Sequence, residues 1–503
     1  MRNTTPQERS TLPDIREWKT IDWFKIESYV EKMQQRIYRA ERLGQKRKVR
    51  NLQRQLVNSK ASLLLSIRRI TQKNKGKKTA GIDGVSIKSD SERVQLFNKL
   101  KDYTLNIHNP KPSRRTYIRK KNGKLRPLSI PTIVDRIRQN QIKLALEPQW
   151  EYRFEPTSYG FRPKRGCHDA MSRIFGTLSR GKRKWIFEGD FKGCFDNLSH
   201  DFILKQIKGF PYKKVIQKWL EMGYVDNDCF YETTQGSGQG SVISPLLANI
   251  ALHGMEETLG IEYQSCRIHG KDTQKTIGKY LMVRYADDFV CLCNTKSDAE
   301  ELHHILRPYL STRGLELEPS KTRIVHLRDG FDFLGFNVRS YPTRHKEKLL
   351  IKPSKESIKR LRYKISEIGK KLHGENAHEL IGILNPVIIG TANYWKCMVA
   401  KEAFSAIDYH SYRVIYRFLR RLHPKKGWNW ITKRYFKQDY SGKTKRKWMF
   451  TAPDSNKQLV RMDSIRIQRH VLIKHNASPF DSRLKNYFKA RDKREFFYQA
   501  GYT

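Results

Sequence analysis

Two aspartates stand side by side in RYADDFV at 284–290, with LMV before them and FVCLC after. Apolar, β-rich flanks on both sides predict a hairpin with Asp287 and Asp288 at its tip. Adjacent carboxylates among apolar residues repel each other and are costly to bury without a cation, so a divalent metal is their natural third party; the alternative is a solvent-exposed turn. Upstream, KWIFEGDFKGCFDNLSHDF places Asp190 at the end of a predicted strand, with Ser199 suited to cap the helix that follows. Joined to the hairpin tip, that strand end would complete a carboxylate cluster for two Mg2+ ions, with Mn2+ able to substitute. One ion would activate an attacking hydroxyl and the other would stabilise a leaving phosphate.

The elements that must position these groups follow from the pattern around them. Residues 20–75 read as basic, apolar-periodic helices, closed by the run TQKNKGKK and the glycine-punctuated loop TAGIDG at 79–84. From about 110 to 340, short β-rich runs alternate with helical stretches such as VDRIRQNQIKLALEPQW, which implies an α/β or α+β catalytic body. After about 350 the strands stop, and residues 354–422 carry helical periodicity in three segments. PKKGWNWITKRYFKQDYSGKTKRKWMF then interleaves cations with Trp and Tyr, which suits phosphate contacts plus stacking on unpaired bases; Trp428 and Trp430 read equally well as core.

The charge points the same way. Lys and Arg number 100 against 50 Asp and Glu over 503 residues, a formal net charge of +50, and residues 351–503 alone hold 34 against 12. Self-repulsion of that size needs a polyanion against it, and nucleic acid fits better than an acidic membrane surface. An aromatic content of 11% excludes a wholly disordered chain. The seven cysteines include no CxxC pair and none lies beyond Cys397, so neither a disulfide framework nor a structural zinc site is expected. The N-terminus lacks a signal peptide's apolar stretch and no run approaches the ~18 apolar residues of a membrane span. A reducing, cytoplasmic setting in a bacterium, open to nucleoid association, is the expectation.

The ordered motifs GIDG (81–84), RRTYIRKKNGKLRPLSIPTIVDRIRQ (114–139), SYGFRPKRGCHDA (158–170), FEGDFKGCFDNLSH (187–200), GSGQGSVISPLLANI (236–250), YADD (285–288), LEPSKT (317–322) and FLGF (333–336) resemble those of reverse transcriptase–maturases encoded by group II introns. LNPVIIGTANYW (384–395) and HPKKGWNWITKRYF (423–436) resemble the maturase thumb of that family. The resemblance covers about residues 20 to 485. It implies a right-hand polymerase with an N-terminal extension (1–90), fingers and palm (91–345), a helical thumb or maturase domain (346–436) and a basic DNA-binding region (437–503). The implied activity is RNA-directed DNA synthesis, with intron RNA, an RNA template, a DNA primer or target and dNTPs as partners, and with splicing and retrohoming promoted through intron binding. Two other readings stay open: a free-standing reverse transcriptase for defence, repair or diversity generation, and a splicing cofactor without polymerase activity.

Carried over residue by residue, the resemblance makes Asp190, Asp287 and Asp288 the metal-binding cluster, with the Phe191 carbonyl as a further ligand. Lys120 and Arg126 match positions that hold the incoming triphosphate, and a basic hairpin gripping template is their alternative. Phe195 matches a gate against a ribose 2′-hydroxyl. Gln239 and Gly240 match residues beside the primer terminus, although Gly238 stands where proline is common and Ser241 where a second glycine is common, which puts the loop's rigidity in doubt. Lys321 matches a lysine near the pyrophosphate, with a packing or template contact as its alternative. Arg162, Lys164 and Arg165 are expected on phosphates or in an ion-paired turn, and Trp428, Lys433 and Arg434 on nucleic acid. Relatives that cut DNA add a nuclease segment with paired cysteines; with none after Cys397, no endonuclease activity is expected.

Overall fold

The computed structural model describes residues 17–119, 123, 125–268, 271–372, 376–440, 442 and 445–500. By packing the chain forms two units: Met1–Gly166 with Phe187–Arg323 and Ile473–Arg494, and Cys167–Ile186 with Ile324–Leu472 and Glu495–Thr503.

In the first unit, helix Trp23–Arg42 starts where the Asp22 side chain accepts from the Lys25 amide, and it buries Ile26, Val30, Met33 and Ile37 along one stripe. That stripe and helices Lys46–Val57 and Lys60–Arg68 pack on the long helix Ile133–Arg153. The long helix is buried nearly all round, and its polar residues serve as pegs rather than as surface. Asn140 donates to Ser66 Oγ (2.9 Å), Gln141 to the Val57 carbonyl (3.0 Å), and Gln34 reaches the Leu144 carbonyl (2.9 Å). Its first turn is fixed by Asp135, whose carboxylate takes Thr132 Oγ1 (2.6 Å), Trp219 Nε1 (3.0 Å) and His108 Nε2 (2.7 Å). Buried polar groups satisfied in this way specify one docking of the helix rather than many.

Strands Ser113–Arg119 and Leu125–Ile130 form an antiparallel hairpin, extended by Tyr224–Asp226, which runs parallel to the first, and by Cys229–Tyr231. A second sheet sets Arg323–His326, Trp185–Gly189, Asp288–Cys293 and Leu281–Tyr285 side by side in that order. Met282, Val283, Val290, Cys291, Leu292 and Cys293 are all 0–1% exposed. Both faces of the two central-to-edge strands are therefore covered, and the sequence shows continuous apolar runs instead of alternation.

The second unit carries the meander Phe331–Phe333, Phe336–Pro342 and Glu347–Pro353, followed by helices Lys355–Lys371, Ala377–Trp395 and Lys401–Leu422. Ser354 and Asn376 cap the first two through their side-chain oxygens. The Tyr394 ring stacks on Phe336 (5.2 Å) and its hydroxyl donates to the Leu334 carbonyl (2.7 Å), tying helix to meander. Strand 347–353 pairs with 336–342 across the expected boundary at 345/346, and the packing units part at Arg323. One expectation changes here. Strands do not stop at 350: Phe436–Lys437 pairs with Met449–Phe450, where aromatic side chains cover a short ribbon.

Candidate active site

Tyr285 pairs with Asp288, so Ala286 and Asp287 make a two-residue turn, with Ala286 at φ +59°. A β-carbon in that region costs about 1–2 kcal/mol, so neighbours must hold the turn in place. Arg284, wholly buried, does so: its Nη1 donates to the Ala286 carbonyl (3.1 Å) and to Asn249 Oδ1 (3.0 Å), and its Nη2 lies 3.9 Å from the Glu155 carboxylate. Segment 157–160 runs alongside, with the Arg284 amide on the Thr157 carbonyl (3.0 Å) and the Tyr159 amide on the Arg284 carbonyl (2.9 Å). At Gly160 a β-carbon would stand 2.2 Å from the Ala286 nitrogen, so only glycine permits this approach.

Asp190 follows strand Trp185–Gly189 directly. Its carbonyl accepts from the Glu318 amide (2.9 Å) and the Lys192 amide donates to the Glu316 carbonyl (3.0 Å). Phe191 opposite Leu317 is therefore a non-hydrogen-bonded pair, whose own carbonyl points out of the ladder. The Phe191 ring stacks on Phe289 (5.1 Å), and Gly189 leaves room for that same Phe289 ring, which a β-carbon would meet at 2.1 Å. Phe289 thus registers the Asp190 strand end against Asp288.

The three carboxylates share one crevice. Burial, and then Asp190, hold the Asp287 carboxyl above the usual range, against the pull of Arg126 and Lys321. Asp288 reaches solvent on one side but is ringed by protein, and burial, then Asp287 and Asp190, push it up to about 6. The Lys321 ammonium sits on Asp190 Oδ2, which raises the lysine. Three mutually repelling carboxylates with hard oxygens, one of them already drawing an ammonium, form a donor set suited to divalent metal.

Around the crevice, Arg126 Nε donates to Gln239 Oε1 (2.7 Å), and the Ser129 amide to the Gln239 carbonyl (2.6 Å). Gly240 lies at φ +113°, and a β-carbon there would come 2.7 Å from the Ser129 carbonyl oxygen. The loop's two departures are accommodated: Gly238 takes φ +59°, closed to proline, and Ser241 Oγ donates to Gln139 Oε1 (3.0 Å), as does the Val242 amide (3.1 Å). Phe195 is 7% exposed, edge-on to the exposed ring of Phe161 (6.2 Å), and its carbonyl accepts from the Ser237 amide (2.7 Å). Lys120 lies outside the described residues.

The structure corrects several expected nucleic-acid contacts. Arg162 is buried with its guanidinium on both Glu151 oxygens (2.8 and 3.0 Å) and on the Glu155 and Ser158 carbonyls, so it braces the turn. Arg165, also buried, bonds the Pro156, His475 and Ala477 carbonyls. Lys164 pairs with Asp492 (2.8 Å) while remaining accessible. Burial, with the terminal guanidinium nitrogens turned onto protein oxygens, removes the two arginines from phosphate binding. Trp428 is half-buried against Tyr416 (4.6 Å); the exposed ring is Trp430, with Lys426 and Arg434 at 5.4 and 5.5 Å from its centroid. Lys433 and Arg434 are exposed as expected. Sequence reasoning missed Arg284, Gly160 and Asn249; the one signal for them was an arginine inside an otherwise apolar strand.

Residues 118–338 match the reverse transcriptase (RNA-dependent DNA polymerase) family, 18–100 the N-terminal domain of reverse transcriptase, and 358–436 the group II intron maturase-specific domain. Protein YkfC of Escherichia coli (strain K12) is 35% identical over 309 residues, covering 56% of this chain and 81% of that protein. The group II intron-encoded protein LtrA of Lactococcus lactis subsp. cremoris is 33% identical over 322 residues, 53% of each, so the match spans about half of LtrA. Maturase-like protein 1 of Euglena gracilis is 26% identical over 438 residues, covering 82% of this chain and 88% of that protein. No described helix is long and apolar enough to cross a membrane. With N-terminal, polymerase and maturase segments in this order, the chain belongs to the group II intron-encoded reverse transcriptase–maturase family of RNA-directed DNA polymerases.

Proposed function

We propose that Asp190, Asp287 and Asp288, with the Phe191 carbonyl, hold two Mg2+ ions for nucleotidyl transfer from dNTPs to a primer annealed to RNA. The observation that carries this reading is the convergence of the three carboxylates with Lys321 at the ends of two paired strands. In the reaction a primer 3′ oxygen bonds to the α-phosphorus, the α–β phosphoanhydride bond breaks, and pyrophosphate leaves. The bound ions, with Mn2+ as substitute, would supply activation of the hydroxyl and charge stabilisation on the leaving group.

This chain's own residues would do the rest. Lys321 would leave Asp190 for the pyrophosphate and deliver a proton to it. Arg126, with Lys120, would hold the triphosphate, where donors matched to developing charge speed the reaction. The Phe195 ring would exclude a 2′-hydroxyl, and the Gln239–Gly240 backbone would lie beside the primer terminus. Fingers and palm would lie in the first unit. The thumb would comprise the helices from Lys355 to Leu422 and Trp428–Tyr435, offering Trp430, Lys433 and Arg434 to its own group II intron RNA for splicing and retrohoming. The basic stretch beyond would contact target DNA. The test is Asp287→Asn in Mg2+-dependent primer extension on an RNA template. A loss of roughly 10³-fold with unchanged folding is expected, since metal stabilisation is worth several kcal/mol. Wild-type extension by this variant would reject the assignment.

A further inference from the structure

Away from the carboxylate crevice, the second unit gathers His168 from helix Cys167–Leu178, Cys397 from just beyond helix Ala377–Trp395, and His470 from the extended segment that follows Ile465. One ring nitrogen of each histidine and the Cys397 Sγ all lie within 4.8 Å of one another. We propose that these three residues form a transition-metal site, for Zn2+ by its ligand chemistry, that staples three segments remote in sequence.

The arrangement around the two imidazoles supports this. His168 Nε2 lies 2.7 Å from the Tyr394 carbonyl oxygen, and His470 Nε2 lies 2.9 Å from a carboxylate oxygen of Asp169, a residue 1% exposed. A carbonyl or an ionised carboxylate only accepts, so each Nε2 carries a hydrogen, and the neutral ring would then ligate through Nδ1. Metal-binding histidines are oriented in this way, the second nitrogen donating to a carboxylate or a backbone carbonyl. Two imidazoles and a thiolate are borderline-soft donors, suited to Zn2+ and poor for Mg2+, so the site would not compete for ions of the carboxylate cluster. Three protein ligands leave a fourth tetrahedral position for water. Binding would release one proton, from the Cys397 thiol, as the sulfur–metal bond forms.

The test uses the full-length chain, stripped with EDTA and titrated with Co2+ as a spectroscopic substitute, with excess Mg2+ present to saturate the carboxylates. One equivalent should bring up a thiolate-to-cobalt charge-transfer band, which carboxylates do not give, and Zn2+ should abolish it. Cys397→Ser should lose the band, and Asp169→Asn should weaken binding by roughly 10–100-fold. In parallel, Zn2+ should raise the Tm of the wild type but not of Cys397→Ser; if that variant fails to fold, His470→Gln serves in its place. No charge-transfer band in the wild type, a band that persists in Cys397→Ser, or a Zn2+-dependent Tm gain equal in variant and wild type would overturn the proposal and leave the two histidine rings, 5.6 Å apart, as ordinary packing.

Discussion

Replacing Gly160 by alanine puts a methyl group 2.2 Å from the Ala286 nitrogen, where such contacts essentially never fall below 3.0 Å. One of the two backbones must therefore retreat by roughly 0.8 Å or more. Segment 157–160 is held by the Thr157 and Tyr159 bonds to Arg284 and by Asn249 Nδ2 on the Gly160 carbonyl (2.9 Å), while Ala286 in the turn already sits in the left-handed region. The displacement should fall on the turn, and with it on Asp287. A misplacement near 1 Å costs about 10² in rate. The accompanying overpacking should cost about 1–3 kcal/mol in stability, which leaves the protein folded. The assay is single-turnover primer extension with saturating Mg2+, with thermal unfolding measured alongside. A roughly 10²-fold slower chemical step with little change in template–primer affinity is expected. Gly166→Ala, where the added carbon meets nothing within 4 Å, is the control and should match the wild type. A wild-type rate in Gly160→Ala, or equal slowing in Gly166→Ala, would refute the claim that this close approach positions the carboxylates.

The remaining predictions concern charge, burial and the sugar. Asp288 titrates near 6 in the folded metal-free chain and at its ordinary 3.8 unfolded, so its ionised form opposes folding above pH 6 and the penalty is gone below 3.8. Asp288→Asn should thus stabilise the metal-free protein at neutral pH and lose that advantage in acid, as followed by Tm against pH. Protons should also compete with Mg2+ as pH falls through 6, by up to roughly tenfold in apparent affinity per unit; a flat Mg2+ titration between pH 5 and 7.5 would count against it. Arg162→Ala strands a buried Glu151 and should destabilise the chain by about 3–5 kcal/mol in denaturant unfolding. Arg434→Ala should instead leave stability unchanged and reduce the log-salt slope of RNA binding by about 1, and the reverse pattern would exchange their roles. Phe195→Ala should admit ribonucleotides in primer extension, and unaltered sugar discrimination would remove the gate.

Legibility in the sequence followed the range of the interactions involved. The hairpin of 281–293 was visible because apolar runs flank two adjacent charges, and the Ser199 cap because it needs only the Phe202 amide three residues on. The three helices Lys355–Lys371, Ala377–Trp395 and Lys401–Leu422 were visible because their apolar stripes repeat at helical spacing. Arg162 and Arg165 show the opposite case. In FRPKRG they look like any cations of a basic chain, and their withdrawal from solvent depends on Glu151 and on carbonyls as distant as His475 and Ala477. Trp428 and Trp430 are two residues apart on one helix, and only the placement of Tyr416 and Phe436 decides which ring is covered.

The sequence by itself determined the carboxylate chemistry, the order of the polymerase and maturase segments and the need for a polyanion, because residue type, local spacing and net charge survive in the one-dimensional string. Only the tertiary structure decided that Lys321 lies on Asp190, that Arg284 and Gly160 support the turn, and that His168, Cys397 and His470 meet. The absence of a CxxC pair does not bear on a site of the kind proposed for these three residues, because ligands need only be close in space. Proximity between distant residues is set by which apolar faces bury one another, and no local spacing records that choice.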